Sequence, residues 1–419
     1  MFITGALTRH TQRLLPDPGP ARVLAAGTLA DTLGKGLTLS LSAIFFTRSV
    51  GLSVREVSIG LAAAAVVSFL TSTPLGHLAD RVGPREVLAA LLVAQVLTVG
   101  CLAFTRSFWP FLVLSCVSAA CGRGASAARG AVVAGLLPPD RRVRLRAQLR
   151  AITNVGISAG TVLAGIALQI DTRGAYMAMI LGDAASFAVV AALTLRLPHL
   201  APVPVTHPGP RLVALRDRPF LVYTALHGVL AVHYGLFAIA MPLWVTLRTN
   251  APSWIVAVLF LVNGITVVLL QVRASRGTES VAVAARAHRR SGALLAVGCV
   301  LFAFSGGRSA WIAVVVLVAA ALTHVLGELL QAAGSWGLSF ALAPEHAQGQ
   351  YQGAFDMGYA LASMAAPIVV TTLTIGWGGP GWLLLGAMFA VAGALVPPVA
   401  RWAERSRPHH TDTAEPLAA

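Results

Sequence analysis

Long apolar stretches separated by short polar segments run along almost the whole chain. A hydrocarbon core of about 30 Å is crossed by an α-helix of roughly 20 apolar residues. Stretches of this kind lie near 23–46, 57–79, 87–105, 109–137, 148–170, 175–195, 220–247, 254–273, 291–306, 310–340, 350–374 and 381–400. The pattern predicts an all-α integral membrane protein with twelve transmembrane helices. Residues 1–20 lack the apolar core of a cleavable signal peptide, so we expect the first helix to remain as an anchor.

A proline-rich polar segment separates the apolar stretches into two sets of six. We therefore predict two six-helix bundles, a cytoplasmic linker and a cytoplasmic tail, with the boundaries 1–196, 197–218, 219–402 and 403–419. Short matches at a constant offset indicate an internal repeat, in which Gly122-Arg123 of the fourth stretch aligns with Gly327-Glu328 of the tenth. Parallel repeats of this kind are a recurrent plan of secondary transporters.

Composition agrees with a membrane protein, because 56% of the residues are apolar and only 11% are charged, against about 25% charged in soluble domains. The mean hydropathy is +0.76. The formal charge is +15, and 22 of the 31 basic residues, with Arg146 and Arg150 among them, are assigned to loops on the side predicted for both termini. The positive-inside rule then places both termini in the cytoplasm of a cell (plasma or inner) membrane. Nucleic-acid binding is not needed to explain the charge.

The sequence predicts neither an enzyme nor a cofactor site. It contains no GxxxxGK[ST] nucleotide loop and no Cys/His spacing of a metal site, and its four cysteines are scattered through apolar stretches. We therefore expect no metal and no cofactor. An ion gradient, a substrate gradient or a partner must then supply the energy for any transport.

The segment between the second and third stretches reads Gly76-His77-Leu78-Ala79-Asp80-Arg81-Val82-Gly83-Pro84-Arg85. It resembles the loop signature of the major facilitator superfamily, G-x-L-a-D-r-x-G-r-k, with Pro84 in place of a usual basic residue. The resemblance implies a cytoplasmic latch built on Asp80. Its gating residues are then Gly76, Asp80 and Gly83, with Arg81, Arg85 and Asp140 as charge partners.

The fifth apolar stretch contains a glycine series, Gly156, Gly160 and Gly165. It resembles the antiporter motif G-x-x-x-G-P-x-x-G-G, with Thr161 in place of the proline and Ala164 in place of one glycine. Gly156 and Gly160 share one helical face, where neighbouring backbones can approach closely. Ordinary packing of small residues would produce the same series. The resemblance to the 12-helix drug:proton antiporter group implies a gating role for all three glycines.

Ionisable residues inside the apolar stretches are candidates for proton coupling, because a charge at the bilayer centre costs about 2.5–3.5 kcal/mol. Glu328 is our candidate for the proton-carrying acid, because burial disfavours the charged form of a carboxyl. His324 lies one turn before it. Arg123 stands where the family commonly has a basic residue associated with proton coupling. Asp31, four residues before Lys35, is a third candidate.

Two structural alternatives remain open for these charges. Glu328 could form a fixed salt bridge with Arg123 or Lys35, and Asp31 with Lys35 could be a structural clamp. Sparse polar and aromatic residues complete the predicted lining of a substrate cavity, which comprises Lys35, His227, His233, Tyr234, Asn263, His324, Gln331 and Trp336. Few hydrogen-bonding groups among many apolar ones suit an amphipathic organic compound.

The resemblance implies a secondary transporter that alternates access by rocking two six-helix bundles about a central site. We predict proton-coupled efflux of a drug-like or natural-product small molecule by a monomer in the lipid bilayer. A proton-linked importer of a metabolite remains open, as does a membrane scaffold or regulator that transports nothing.

Overall fold

The computed structural model describes residues 16–39, 41–202 and 212–406. The predictions for the first fifteen residues, for the middle of the linker and for most of the tail lie outside this range. Within it, twelve long helices follow one another. They are α1 (Pro20–Leu39), α2 (Val54–Val82), α3 (Pro84–Leu102), α4 (Phe108–Leu136), α5 (Pro139–Ile170), α6 (Arg173–Thr194), α7 (Arg218–Arg248), α8 (Ile255–Ala274), α9 (Val281–Ser305), α10 (Ala310–Ala341), α11 (Gln348–Val370) and α12 (Gly379–Arg405).

Ten of these helices are long and apolar enough to cross a membrane. The other two, α1 and α9, carry charged residues within their apolar sequences, three arginines in the first ten residues of α9 among them. The chain is thus a multi-pass membrane protein. The prediction of an all-α membrane fold is confirmed for the described residues, with twelve long helices of which ten meet the length and hydropathy of a membrane span.

Local sequence explains how the second helix begins and where the chain reverses after it. Ser53 and Glu56 form a capping box at the start of α2, since each side chain bonds the backbone N–H of the other residue. At the other end, Gly83 has a φ of 123°, a conformation that favours glycine. Pro84 then occupies the first turn of α3, where its missing N–H costs nothing.

The helices pack around two apolar cores. One core is built mainly from α1–α6, and the other from α7–α12. Phe340 of α10 is the exception, because its ring inserts into the core of the first half.

Glycines permit the closest approaches between helices. A Cβ added at Gly160 of α5 would lie 2.8 Å from Gly36 Cα of α1, and one at Gly156 would collide with Thr32. In the second half, Gly292 of α9 and Gly393 of α12 approach each other in the same way. Bulky side chains cannot enter these contacts.

The two halves meet at the face where α1 begins and α12 ends, which we call the terminal face. There α2 packs against α11, with the backbones of Gly76 and Gly349 in contact. One turn deeper, Ser72 Oγ donates a 2.8 Å hydrogen bond to the carbonyl of Gly353. Helix α5 also packs against α8 across the boundary between the halves.

Candidate functional site

A cavity of about 500 Å³ lies between the two halves. Side chains of α1, α4 and α5 line it from the first half, and side chains of α7, α10 and α11 from the second. Its wall combines aromatic rings with three arginines and two carboxylates. The charged residues are Arg129, Arg146, Arg150, Glu328 and Asp356.

An ion pair joins the halves across this cavity. Arg150 of α5 donates through Nη2 to Oε1 of Glu328 on α10. Its Nη1 donates a 2.9 Å hydrogen bond to the hydroxyl of Tyr234 on α7, and the guanidinium lies 5.5 Å from the centroid of that ring. Arg150 therefore contacts two helices of the opposite half.

The second oxygen of Glu328 faces α8 and the preceding turn of α10. Asn263 donates from Nδ2 to Oε2 at 2.9 Å, and Nδ1 of His324 lies 4.0 Å from the same oxygen. As a whole residue, Glu328 is only 6% exposed. It is thus held by one cation and one amide, with an imidazole close by.

His233, His324 and Glu328 place one potential metal-ligating atom each within 4.8 Å of one another. A metal ion bound here would share the Glu328 carboxylate with the Arg150 guanidinium, which already forms an ion pair with it. Two positive charges on one buried carboxylate repel each other strongly. We therefore describe the two imidazoles as polar surroundings of Glu328.

A second polar group lies next to the cavity on α7, α9 and α10. His227 Nδ1 lies 3.1 Å from both Gln331 Nε2 and Ser335 Oγ. Ser335 Oγ lies 3.3 Å from Nε2 of His288. The His227 ring stacks on Phe355 with 4.2 Å between the centroids. These contacts fix the orientation of His227 at the cavity wall.

Asp31 belongs to a cluster on α1 and α4. Lys35 Nζ lies 2.9 Å and Arg129 Nη1 lies 3.1 Å from the same oxygen of Asp31. The predicted pair of Asp31 and Lys35 is therefore present. Arg129 is an additional partner and brings the cluster to the cavity wall.

Arg123 lies apart from Glu328. Its Nε donates a 3.1 Å hydrogen bond to Ser68 Oγ on α2, and its guanidinium lies 5.5 Å from the ring centroid of Tyr359 on α11. The proposed salt bridge of Glu328 with Arg123 or Lys35 does not form, because Arg150 takes that position.

At the terminal face, Asp80 bonds backbone amides of the second half. Its Oδ1 accepts from Gly349 N at 2.6 Å, and its Oδ2 accepts from Gln350 N at 2.8 Å. The expected charge partners are arranged differently. Arg85 donates to the carbonyl of Leu195 at 2.5 Å. Among the described residues, Arg81 and Asp140 are exposed and make no ion pair.

The predicted site residues thus fall into three places. Those at the cavity wall are His227, Tyr234, Glu328, Gln331 and Trp336. Asn263, His233 and His324 surround Glu328 from behind the wall. Lys35 lies outside the wall with Asp31. Of the glycine series, Gly156 and Gly160 contact α1, whereas a Cβ at Gly165 would have none of the described residues within 4 Å.

Arg146 and Arg150 were assigned from the sequence to a cytoplasmic loop, and this interpretation is wrong. Both lie in α5 and reach the cavity. A signal was available, because Arg146, Arg150 and Asn154 recur every four residues and therefore share one helical face. The dense run of arginines before the glycine series concealed this periodicity.

The family model of the Major Facilitator Superfamily matches residues 24–367. The chain belongs to the major facilitator superfamily. The Tetracycline resistance protein, class C, of Escherichia coli is 25% identical to this facilitator over 341 residues, which cover 79% of this chain and 84% of that protein.

Solved structures of transporters share the fold. A bacterial homologue of the iron transporter ferroportin, in an outward-facing state, has a TM-score of 0.72 at 15% identity, covering 92% of this chain and 99% of its own. The E. coli fucose:proton symporter FucP has a TM-score of 0.67 at 12% identity, with 92% and 98% covered. The human organic anion transporter MFSD10 has a TM-score of 0.65 at 17% identity, with 90% and 100% covered.

Proposed function

We propose that this major facilitator protein exports an amphipathic, drug-like or natural-product molecule across the cell membrane in exchange for protons. Its similarity to a tetracycline resistance protein supports a role in drug efflux. The cavity wall supports an amphipathic substrate, because Tyr234, Trp336, Phe355 and Tyr359 offer aromatic surface beside charged and hydrogen-bonding side chains.

The ion pair of Arg150 and Glu328 is the observation on which proton coupling depends. One proton on Glu328 removes its negative charge and with it the attraction to Arg150. Because Arg150 belongs to the first half and Glu328 to the second, the contact between the halves then differs in strength between the two protonation states. A ligand can shift a conformational equilibrium only through such a difference. Asp31 and Arg123 are weaker candidates, because neither connects to Glu328.

Transport into sealed vesicles tests the coupling and its direction. We would reconstitute the full chain, impose a pH gradient and follow tetracycline together with a broad panel of amphipathic compounds. An antiporter accumulates its substrate in vesicles that are acidic inside, whereas a proton-linked importer accumulates it when the outside is acidic. Labelling of the terminal face then gives the orientation. A scaffold or regulator shows no protein-dependent flux under either gradient.

The variant Glu328→Gln tests the proposed carrier. It keeps a hydrogen-bonding side chain of the same size but cannot bind and release a proton, so gradient-driven accumulation should disappear while downhill exchange continues. Glu404→Gln is the matched control, because Glu404 is exposed at the end of α12. If Glu328→Gln accumulates substrate at the rate of the parent protein, Glu328 does not carry the coupled proton.

A further inference from the structure

Arg146 differs from the other two arginines of the cavity wall. Arg129 is paired with Asp31, and Arg150 with Glu328. Arg146 makes no hydrogen bond and no ion pair within 4.0 Å with any residue that the structure describes, and its Nε is buried without a partner. A guanidinium has five N–H donors. An unpaired one inside a membrane protein is therefore a strong candidate for ligand binding.

The surroundings hold Arg146 in place without satisfying it. Its guanidinium lies 5.4 Å from the ring centroid of Phe340. Gly130 of α4 leaves room for it, since a Cβ there would lie only 3.0 Å from Nη2. Asp356 attracts Arg146 from beyond hydrogen-bonding distance, and one oxygen of Asp356 is also buried without a hydrogen-bond partner among the described residues.

The charge of the wall points to the missing ligand. Three guanidiniums and two carboxylates line the cavity, so the lining carries one positive charge in excess. A carboxylate is the planar acceptor that a guanidinium binds through two parallel hydrogen bonds. Because Arg146 and Arg150 lie one turn apart on the same face of α5, an acid bound to Arg146 would sit beside the aromatic rings around Arg150.

We infer that Arg146 binds an acidic group of the transported molecule, so that the substrates are amphipathic aromatic acids. The inference rests on the proposed function, because it names the substrate class of the same cavity. Arg150 keeps its contact with Glu328 in this arrangement. Substrate recognition and proton binding are then carried out by neighbouring but separate side chains.

Matched pairs of ligands test this inference directly. We would titrate the full-length protein in lipid nanodiscs at neutral pH with a panel of aromatic carboxylic acids, each paired with its methyl ester, by isothermal titration calorimetry. The panel would include a rhodamine with a free carboxylate and its ester. We expect the acids to bind at least about tenfold more tightly than their esters, as a charge-assisted contact predicts. In Arg146→Gln this preference should vanish.

Three further variants separate binding from folding. Arg144→Gln, an exposed position of the same helix, should keep the preference. Arg146→Lys should keep part of it, because an ammonium retains the charge but not the paired donors. Asp356→Asn should leave or strengthen acid binding, since it removes a competing negative charge. If Arg146 served only Asp356, acids and esters would instead bind equally, and Asp356→Asn would lower the unfolding temperature as much as Arg146→Gln does.

The outcomes distinguish this inference from the proposed function. Equal binding of acids and esters, no acid bound at all, or a preference that survives in Arg146→Gln would overturn the assignment of Arg146. Proton-driven export of neutral or cationic compounds in vesicles would still support efflux in each of those cases. If acids bind through Arg146 but no flux occurs under any gradient, the substrate class holds as a ligand class and proton-coupled efflux fails.

Discussion

Asp80 of the first half accepts a 2.6 Å hydrogen bond from the backbone amide of Gly349 in the second half. The next amide, that of Gln350, donates to its other oxygen at 2.8 Å. Amides in the first turn of a helix have no partner within the helix and carry a partial positive charge. The carboxylate of Asp80 therefore caps α11 from outside. This contact exists only while the halves are together at the terminal face.

Asp80→Asn should weaken that closed arrangement. The variant keeps the size of the side chain but loses its charge and one acceptor oxygen. Capping interactions of this kind contribute about 1–2 kcal/mol, so the ratio of closed to open molecules at the terminal face should fall by a factor of about 5–30. Spin-label distances between the ends of α2 and α11 would measure the population, and vesicle flux would measure its effect on transport.

Asp17→Asn is the control for this prediction. Asp17 is exposed at the same face, and its only ion pair among the described residues is a 3.8 Å contact with Arg141. Exposed pairs contribute about 0–1 kcal/mol. A normal distance distribution and normal flux in Asp80→Asn would contradict the latch, whereas a change in both aspartate variants would indicate a nonspecific charge effect at this face.

A latch at Asp80 could be proposed from the sequence, but the partners of Asp80 could not. A carboxylate in a short charged segment between two apolar stretches fits a known signature, and arginines of the same segment are its obvious partners by charge. The structure pairs Asp80 with backbone amides some 270 residues further along the chain. Every residue has a backbone amide, so no residue type marks that contact.

Gly160→Leu should disable the protein, because the contact of α1 with α5 has no room for a side chain. A Cβ at this position would collide with the carbonyl of Leu33 and lie 2.8 Å from Gly36 Cα. Overpacking typically costs about 1–3 kcal/mol. We expect a lower unfolding temperature and a large loss of vesicle flux.

Gly165→Leu provides the matched comparison on the same helix. A Cβ at Gly165 would meet no atom of the described part of the chain within 4 Å, so this variant should fold and transport normally. Equal loss in both variants would mean that the glycine series acts as a unit, as the motif suggests. Normal flux in Gly160→Leu would make the close helix contact irrelevant to transport.

Arg123→Ala should slow transport without changing the number of protons exchanged per substrate. Its side chain links α4 to Ser68 of α2 and to the ring of Tyr359 on α11. Loss of these contacts affects the boundary between the halves but leaves the pair of Arg150 and Glu328 intact. The reversal potential of the flux, measured at several pH gradients, reports the stoichiometry. A changed number of protons per substrate would indicate that Arg123 takes part in proton coupling, as the sequence suggested.

Of the two partners in the central ion pair, Glu328 was predicted from the sequence as a site residue and Arg150 was not. Glu328 stands alone in a long apolar run, so its position was evident. Arg150 follows five other charged residues between positions 140 and 146, and the whole run was interpreted as a loop. The mean hydropathy of such a run is low, which favours a loop over a membrane helix. The structure shows instead that α5 begins at Pro139 and that Arg146 and Arg150 of this helix line the cavity.

Stability measurements on Arg150 and Glu328 should reveal their interaction. Removal of one partner of a buried ion pair leaves the other charge unpaired and typically costs about 3–5 kcal/mol. Arg150→Met should therefore destabilise the protein, because Glu328 keeps its charge but loses its cation. Adding Glu328→Gln to that variant should restore most of the loss. Unfolding in detergent, followed by the fluorescence of single and double variants, gives the coupling free energy from the four proteins.

The exposed pair of Arg141 and Asp17 supplies the reference for this double-mutant cycle. Its coupling should be below about 1 kcal/mol, as for other exposed pairs. If the Arg150 and Glu328 cycle gives no more than this, the two charges do not depend on each other in the folded protein. Protonation of Glu328 could not then change the contact between the halves, and proton coupling would have to use another acid. A large coupling that is lost at low pH would instead show that a proton on Glu328 releases Arg150.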